Sequence, residues 1–291
     1  MIRATNRGTN PGGWFSQPEL SGGGASNAAA IEPFRRRVQD TVLKSIREAK
    51  RRTSWSNPNE AYEGACLRFV ERVLDVDRPN PFLDDFLAFE GRIAQLGMLN
   101  SLSQTVLALT APGVPDIYQG GGSWDLNMVD PDNRRPVDFA LRRRMLDEIL
   151  QTGGDRRERI REWLAAWPDG RIKLAVVSAL LRCRRTSSGL FAHAGYEPMN
   201  IQGPHAHHVV AFARRDGGQT CVVVAARLFA RLLEDEASYR GAVWGDSLLE
   251  LPDAPDPVTN ILTGETMRSG AGLRLSALLA DLPAAVLLAQ S

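Results

Sequence analysis

From Pro33 to about residue 185 the apolar residues of this chain recur largely every three or four positions; from Val209 onward they come in short unbroken runs. The first period belongs to helices packed along one face, and the second to buried strands. A chain that changes period once in this way folds as helices followed by β-structure, with the change between about 185 and 195. In the helical part, Phe34, Val38, Val42, Ile46 and Ala49 form one stripe, and Pro33 suits a first helical turn. A second helix is predicted over 60–76, with Cys66, Phe69, Val70, Val73 and Leu74 on one face, ended by Pro79 and Pro81. A third, Leu-, Ile- and Ala-rich, spans about 83–109 with an expected interruption at Gly97. Further helices are expected over 139–150, 155–167 and 173–183.

Between these lies a segment of different character. Val114 to Tyr118, bounded by Pro and Gly, reads as a brief strand, and a long acidic, Gly-rich loop follows to Asp138. Loops of that size inside a compact domain often carry function. In the β part, Val209–Ala213 and Thr220–Val224 flank Arg-Asp-Gly-Gly and predict a hairpin with a connection of four or five residues. Strands are expected again at 248–251, 260–262, 273–275 and 285–288. Residues 1–30 hold six glycines and a single acid, Glu19, and read as a disordered tail outside the fold.

Composition narrows the function. With 291 residues, 43% of them hydrophobic and 24% charged, the chain can bury a core of about two domains. Its net charge of +1 argues against a nucleic-acid binder, and no apolar run approaches the roughly 20 residues of a membrane span. Lysine occurs only at Lys44, Lys50 and Lys173, so 32 of the 35 basic residues are arginine. They are spread along the chain and matched by 34 acids, which points to genome composition rather than to anion recognition. Three scattered cysteines, Cys66, Cys183 and Cys221, suit neither a disulfide framework nor a zinc site. A cytoplasmic protein is expected. His205 and His207 would share a strand face, but no acid or cysteine nearby completes a metal set.

The densest polar chemistry lies in Val129–Asp138. Its carboxylates, amide and arginines can accept from and donate to sugar hydroxyls, while Tyr118 and Trp124 offer faces for a pyranose ring. The same Asp, Asn and Pro residues are also plain turn formers, so a structural turn is an equal reading. No phosphate-binding Gly-rich loop and no nucleophile elbow is present.

At this point the motifs become specific. Asn100-Ser-Leu-Ser-Gln104, Pro112-Gly-Val-Pro-Asp-Ile-Tyr-Gln-Gly120, Trp124-Asp125 and Val129-Asp-Pro-Asp-Asn-Arg-Arg-Pro-Val-Asp138 together resemble the maltooligosyl trehalose synthases of the α-amylase superfamily. Arg47–Lys50, Thr53–Trp55, His208–Arg214, Trp244, Leu262–Gly264 and Leu282-Pro283 extend the resemblance over about 31–291. It implies α/β plus β structure: the C-terminal part of a (β/α)8 barrel with a helical insertion over 31–185, then a β-sandwich-like domain over 186–291. It also implies a reaction, the conversion of the reducing-end α-1,4 bond of a maltooligosaccharide to an α,α-1,1 bond. This is an intramolecular transglucosylation that needs no metal or organic cofactor and proceeds by a retaining two-carboxylate mechanism.

The chain departs from that family in what it lacks. The family's nucleophile, acid/base and third aspartate lie upstream of the matched region. Gly120 is followed by Gly121-Gly122-Ser123, where the family places a glutamate two residues on, and Val224–Arg227 lacks the usual proline. No catalytic residue is therefore assigned, and Asp116, Asp125 and Asp132 are not taken as catalytic. Tyr118, Trp124, Asp125, Asp132, Asn133, Arg134 and Arg135 are the expected sugar contacts, since loops after barrel strands build such sites; Lys50 and Trp55 are lesser ones. The expectation is a C-terminal fragment, inactive alone, with a glucan and the missing N-terminal barrel portion as partners. Residues 31–180 should associate through unpaired edges. The alternative is a carbohydrate-binding or structural remnant without catalysis.

Overall fold

The computed structural model describes residues 25–151, 153–234, 238–251, 256–268, 270 and 272–290, with side chains from Ile31. Of the disordered tail expected over 1–30, residues 1–24 lie outside the described residues, and residues 25–30 are instead helical, forming the start of the first helix. The chain divides into two compact units: described residues up to Gln95 together with Asp125–Val137, and Leu96–Trp124 together with the described residues from Asp138.

In the first unit α1 (Ala25–Glu48) begins eight residues before Pro33. Proline has no N–H to donate to the carbonyl four residues earlier, yet the helix runs through it. The expected stripe holds in its first three members: Phe34, Val38 and Val42 pack against a core of Ile31, Val70, Leu74 and Leu83, whereas Ile46 is not part of that cluster and Ala49 is exposed beyond the helix end. Helix α2 (Glu60–Val73) is started by Asn59, whose side chain accepts from the Tyr62 N–H at 3.1 Å. Phe69, expected on its apolar face, is exposed, while Val70 and Leu74 are buried. Asn80 then ends one helix and starts the next. Its amide donates to the carbonyls of Val73 and Asp75, and its Oδ1 accepts from the Leu83 N–H.

Helix α3 (Pro81–Thr110) is unbroken at Gly97, where no neighbouring atom lies within 4 Å of a built Cβ. Glycine weakens a helix by only about 1 kcal/mol against alanine, and flanking Leu and Met residues outweigh that. Its early residues Phe82, Phe86, Phe89 and Ile93 are exposed. Met98, Leu99, Leu102, Val106 and Leu109 are buried.

The second unit continues with α4 (Phe139–Gln151), α5 (Arg156–Ala165), α6 (Arg171–Thr186) and α7 (Ser188–His193). Its strands are β1 (Glu197–Pro198), β2 (Ile201–Gln202), β3 (Val209–Asp216), β4 (Gln219–Ala226), β5 (Leu248–Glu250), β6 (Val258–Asn260), β7 (Thr266–Met267), β8 (Gly272–Arg274) and β9 (Ala284–Gln290). The short helices α8 (Phe229–Leu232) and α9 (Leu275–Leu278) interrupt them. One sheet has the order β1-β3-β4-β9-β6-β7 and a second β2-β5-β8, with every pairing antiparallel. Among the described residues they form no closed barrel. Strand β4, flanked by β3 and β9, is buried from Thr220 to Ala226, which is why it reads as a continuous apolar run.

Two local expectations are corrected here. The β3–β4 hairpin turns on two residues, Gly217 and Gly218, both at positive φ, because Asp216 pairs with Gln219. Arg214 and Arg215 belong to the ladder rather than to a four- or five-residue connection. Val114–Tyr118 forms no strand: among the described residues no segment pairs with it, and Val114 is 96% exposed. A strand exists only with a neighbour to accept its hydrogen bonds.

Candidate functional site

The expected contact residues fall into both units, and each group is built differently. In the first unit Asp132 is the central residue. It sits in a 3-10 turn (Asp132–Arg134) and is 8% exposed. Its carboxylate takes Arg37 in a two-point pair, Nε and Nη2 each at 2.8 Å. It also accepts from the Met128 N–H at 2.7 Å and faces Arg135 Nε at 3.0 Å. The Arg37 guanidinium, with the Met128 amide and the charge of Arg135 in support, holds this carboxyl down at about 2, against an opposing push from burial. Such a group stays ionised and has its lone pairs engaged, so it ties the loop to α1 rather than shuttling protons. The same loop is fixed by Lys44, whose Nζ donates to the Asp130 carbonyl at 2.6 Å.

The other loop residues point outward. Arg134 pairs with Asp130, and Arg135 Nη2 donates to Asn127 Oδ1 at 2.6 Å. Asp125 and Asn133 are exposed. A second ionic node lies nearby in the chain. Glu63 receives Arg47 at 2.9 and 2.7 Å and the Thr53 hydroxyl, and the Arg47 hydrogen bond is the main cause that lowers its carboxyl to about 2. The Arg47 guanidinium also lies 4.9 Å from the Trp55 ring, which keeps most of its surface exposed. Lys50 is exposed at positive φ.

In the second unit the exposed segment 114–118 borders a groove of about 310 Å³. Ser101, Gln104 and Thr105 of α3, Asp116 and Tyr118 of the segment, and Lys173 of α6 supply its polar lining. Both ends of the segment are pinned by arginines. Arg184 donates to the carbonyls of Leu109 and Gly113 at 2.9 and 3.1 Å, and Arg142 holds the Gly120 carbonyl with two bonds of 3.3 Å. The Gly121 N–H closes a tight turn on the Tyr118 carbonyl at 2.7 Å. Gln119 and Gly120 there take positive φ. Tyr118 is thereby left 67% exposed, its ring open to solvent. Trp124 is not among the groove residues. Its Nε1–H donates to the Trp167 carbonyl at 2.5 Å, its ring meets Trp167 edge-on, and Lys173 Nζ lies 5.4 Å from its centroid. It packs more than it presents.

An aromatic face beside hydroxyls, an amide, a carboxylate and an ammonium is what a sugar-binding groove requires. No protein-family model matches the chain. A curated relative in Mycobacterium tuberculosis (strain CDC 1551 / Oshkosh), named "Putative maltooligosyl trehalose synthase", is 35% identical over 254 residues, 87% of this chain and 28% of the relative. The solved maltooligosyltrehalose synthase of Arthrobacter ramosus superposes with a TM-score of 0.69 at 32% identity, over 87% of this chain and 30% of that one. Over its matched residues the chain is similar to the C-terminal part of maltooligosyl trehalose synthases. It spans less than a third of the length of these relatives. The hypothetical maltooligosyl trehalose synthase of Sulfolobus tokodaii agrees, with a TM-score of 0.63 at 26% identity.

Within this family resemblance, the residues that sequence reasoning missed are those that position others. Arg142 and Arg184 act on backbone carbonyls, and nothing in their spacing marks a loop clamp. Lys173 lies at the start of a predicted helix, where its sequence gives no sign of a groove. Ser101 and Gln104 carried the resemblance without being assigned a role. His205 and His207 do not share a strand face, because Ala206–His208 is a 3-10 turn. No group of three or more His, Cys, Asp or Glu able to hold a metal occurs among the described residues.

Proposed function

We propose that this chain is the C-terminal part of a maltooligosyl trehalose synthase and supplies a glucan-contacting groove without the catalytic carboxylates. In this reading residues 31–185 are the closing segment of a (β/α)8 barrel with a helical insertion, and 186–291 the β-sandwich-like domain that follows. The supporting observation is the match at 35% identity over 87% of this chain and only 28% of the relative. The complete reaction is an isomerisation. An upstream carboxylate displaces the reducing-end glucose from its anomeric partner, a second carboxyl group protonates the leaving oxygen, and the glucose re-attacks through its anomeric hydroxyl as that proton returns. No water is consumed and no cofactor is needed. The role of this chain is to hold sugar, with Tyr118 as stacking face and Ser101, Gln104, Asp116 and Lys173 as hydrogen-bonding groups. Asp125, Asn133, Arg134 and Arg135 are the further candidates for contact.

The partners of this reading are a maltooligosaccharide and the N-terminal barrel portion. No helix among the described residues is long and apolar enough to cross a membrane, and the three cysteines are free thiols, which fits the reducing cytoplasm. Electrophoresis of the purified chain through a gel containing soluble glucan tests the groove. Retardation relative to a glucan-free gel supports it, and unchanged mobility removes the binding role.

A further inference from the structure

A surface helix needs one apolar stripe, turned to its own core. The start of α3 carries two stripes, offset by one residue. Leu83, Leu87 and Glu90 form the inner one: Leu83 and Leu87 pack with Ile31, Val70 and Leu74, and Glu90 is buried. Phe82, Phe86, Phe89 and Ile93 form the outer one and remain 36% to 62% exposed. All of them lie in the first unit. The Phe82 and Phe86 rings stack on each other, with centroids 5.9 Å apart and planes 14° apart. Taking about 200 Å² for a whole aromatic side chain, the four residues leave roughly 400 Å² of apolar surface in water. Contiguous patches of that size are often functional.

The spacing says what kind of surface covers this one. Steps of four, three and four are those of a heptad seam, in which the side chains of one helix insert between those of a facing helix. The flanking charges say that the facing helix is a second α3. Asp85 and Arg92 each precede a stripe residue, so they stand on the same side of the seam, two turns apart, and both are exposed. About a two-fold axis between Phe86 and Phe89, an antiparallel copy sets Phe86 against the partner's Phe89 and Phe82 against the partner's Ile93. The same register sets Asp85 opposite the partner's Arg92, and Arg92 opposite the partner's Asp85. The surface is therefore complementary to itself, as a two-fold contact requires. On the other side of the seam Leu83 and Glu90 are buried in their own unit, so the pairing is steered from one flank. The apolar seam alone, roughly 800 Å² over two copies, falls short of the ~1,200 Å² of a standard stable interface, so the dimer it supports is a weak one.

We propose that two copies of this chain associate through the Phe82–Ile93 face of α3, antiparallel, with Asp85 of each opposite the partner's Arg92. The inference draws on the first unit alone and is independent of the glucan groove. Sedimentation equilibrium of the purified chain at low salt, across about 1–200 µM, tests it. The expected result is monomer at the low end, dimer at the high end and no larger species. Phe89→Glu should weaken the dimer about tenfold or more and leave the melting temperature unchanged, because the ring is exposed. Asp85→Arg and Arg92→Asp each put like charges across the seam, so either variant alone should dimerise less well. An equimolar mixture of those two variants should dimerise again, because every facing pair is then opposite in sign. Monomer at every concentration would overturn the proposal and assign the face to a different partner. Association that survives Phe89→Glu, or that grows into open-ended aggregates, would overturn it by placing the contact elsewhere. A mixture that fails to recover would refute the antiparallel register.

Discussion

Replacing Asp132 by asparagine keeps the shape of the loop and removes its charge. The wild-type carboxyl falls from 3.8 to about 2 in the folded chain, a shift worth at most about 2.4 kcal/mol at neutral pH. Water reaches the partners, since the side chains of Arg37 and Arg135 are 18% and 47% exposed, and screening reduces the figure to roughly 1–2 kcal/mol. Asp132→Asn should therefore lower the stability of the first unit by about that amount. The sign in pH follows from the lowered carboxyl. The stabilisation is complete above the unfolded value and is lost as pH falls toward the folded one. Roughly half of it should vanish between pH 6 and pH 3. Urea unfolding of both proteins across that range, read by hydrogen exchange in peptides covering 37–48 and 126–137, isolates the contribution as a difference. Equal stability of the two proteins at pH 6, or a difference that does not shrink by pH 3, refutes the ion-pair reasoning.

Other expectations follow from single side chains. Arg214 is buried with its guanidinium on the carbonyls of Thr110 and Ala194, so Arg214→Met should cost about 2–4 kcal/mol in denaturant unfolding; a loss under about 0.5 kcal/mol would show those bonds to be dispensable. Gly203 has φ +102°, and a Cβ there would lie 2.7 Å from the Ser247 backbone, so Gly203→Ala should lower the melting temperature by several degrees, as scanning calorimetry would detect. Tyr118→Ala should leave the melting temperature unchanged, because the ring is exposed, and should weaken glucan retardation in the affinity gel. Undiminished retardation removes Tyr118 from the contact set.

The residues show which parts of this molecule could be read in advance. Phe34, Val38 and Val42 announced their helix because one packed face needs one stripe, and β4 announced itself because both its faces are buried. Val114–Tyr118 has a strand's composition, but a strand is decided by its neighbour, which local sequence does not encode. Pro33 has a place in a first turn and also survives inside a helix, and composition does not separate the two. The hairpin was misjudged because Arg214 reads as a loop residue when its neighbours are not known. Fold resolves it into the ladder, with the guanidinium bonded to two carbonyls. At the candidate site Tyr118 was legible as a face for a sugar ring, although its segment read as a strand and the turn that exposes it did not. Asp132 was legible as important, but its work is structural: the partner Arg37 is 95 residues away, and no spacing rule connects them.

In the function proposed above, this chain contacts glucan and does not rearrange it. Incubation of the purified chain with maltopentaose, followed by proton NMR of the anomeric region, tests both halves at once. The account predicts saturation transfer from protein to sugar, with reducing-end signals constant over time. Loss of reducing ends with growth of an α,α-1,1 anomeric signal would contradict it, and the catalytic carboxylates would then have to lie among Asp116, Asp125, Asp130, Asp132 and Asp138.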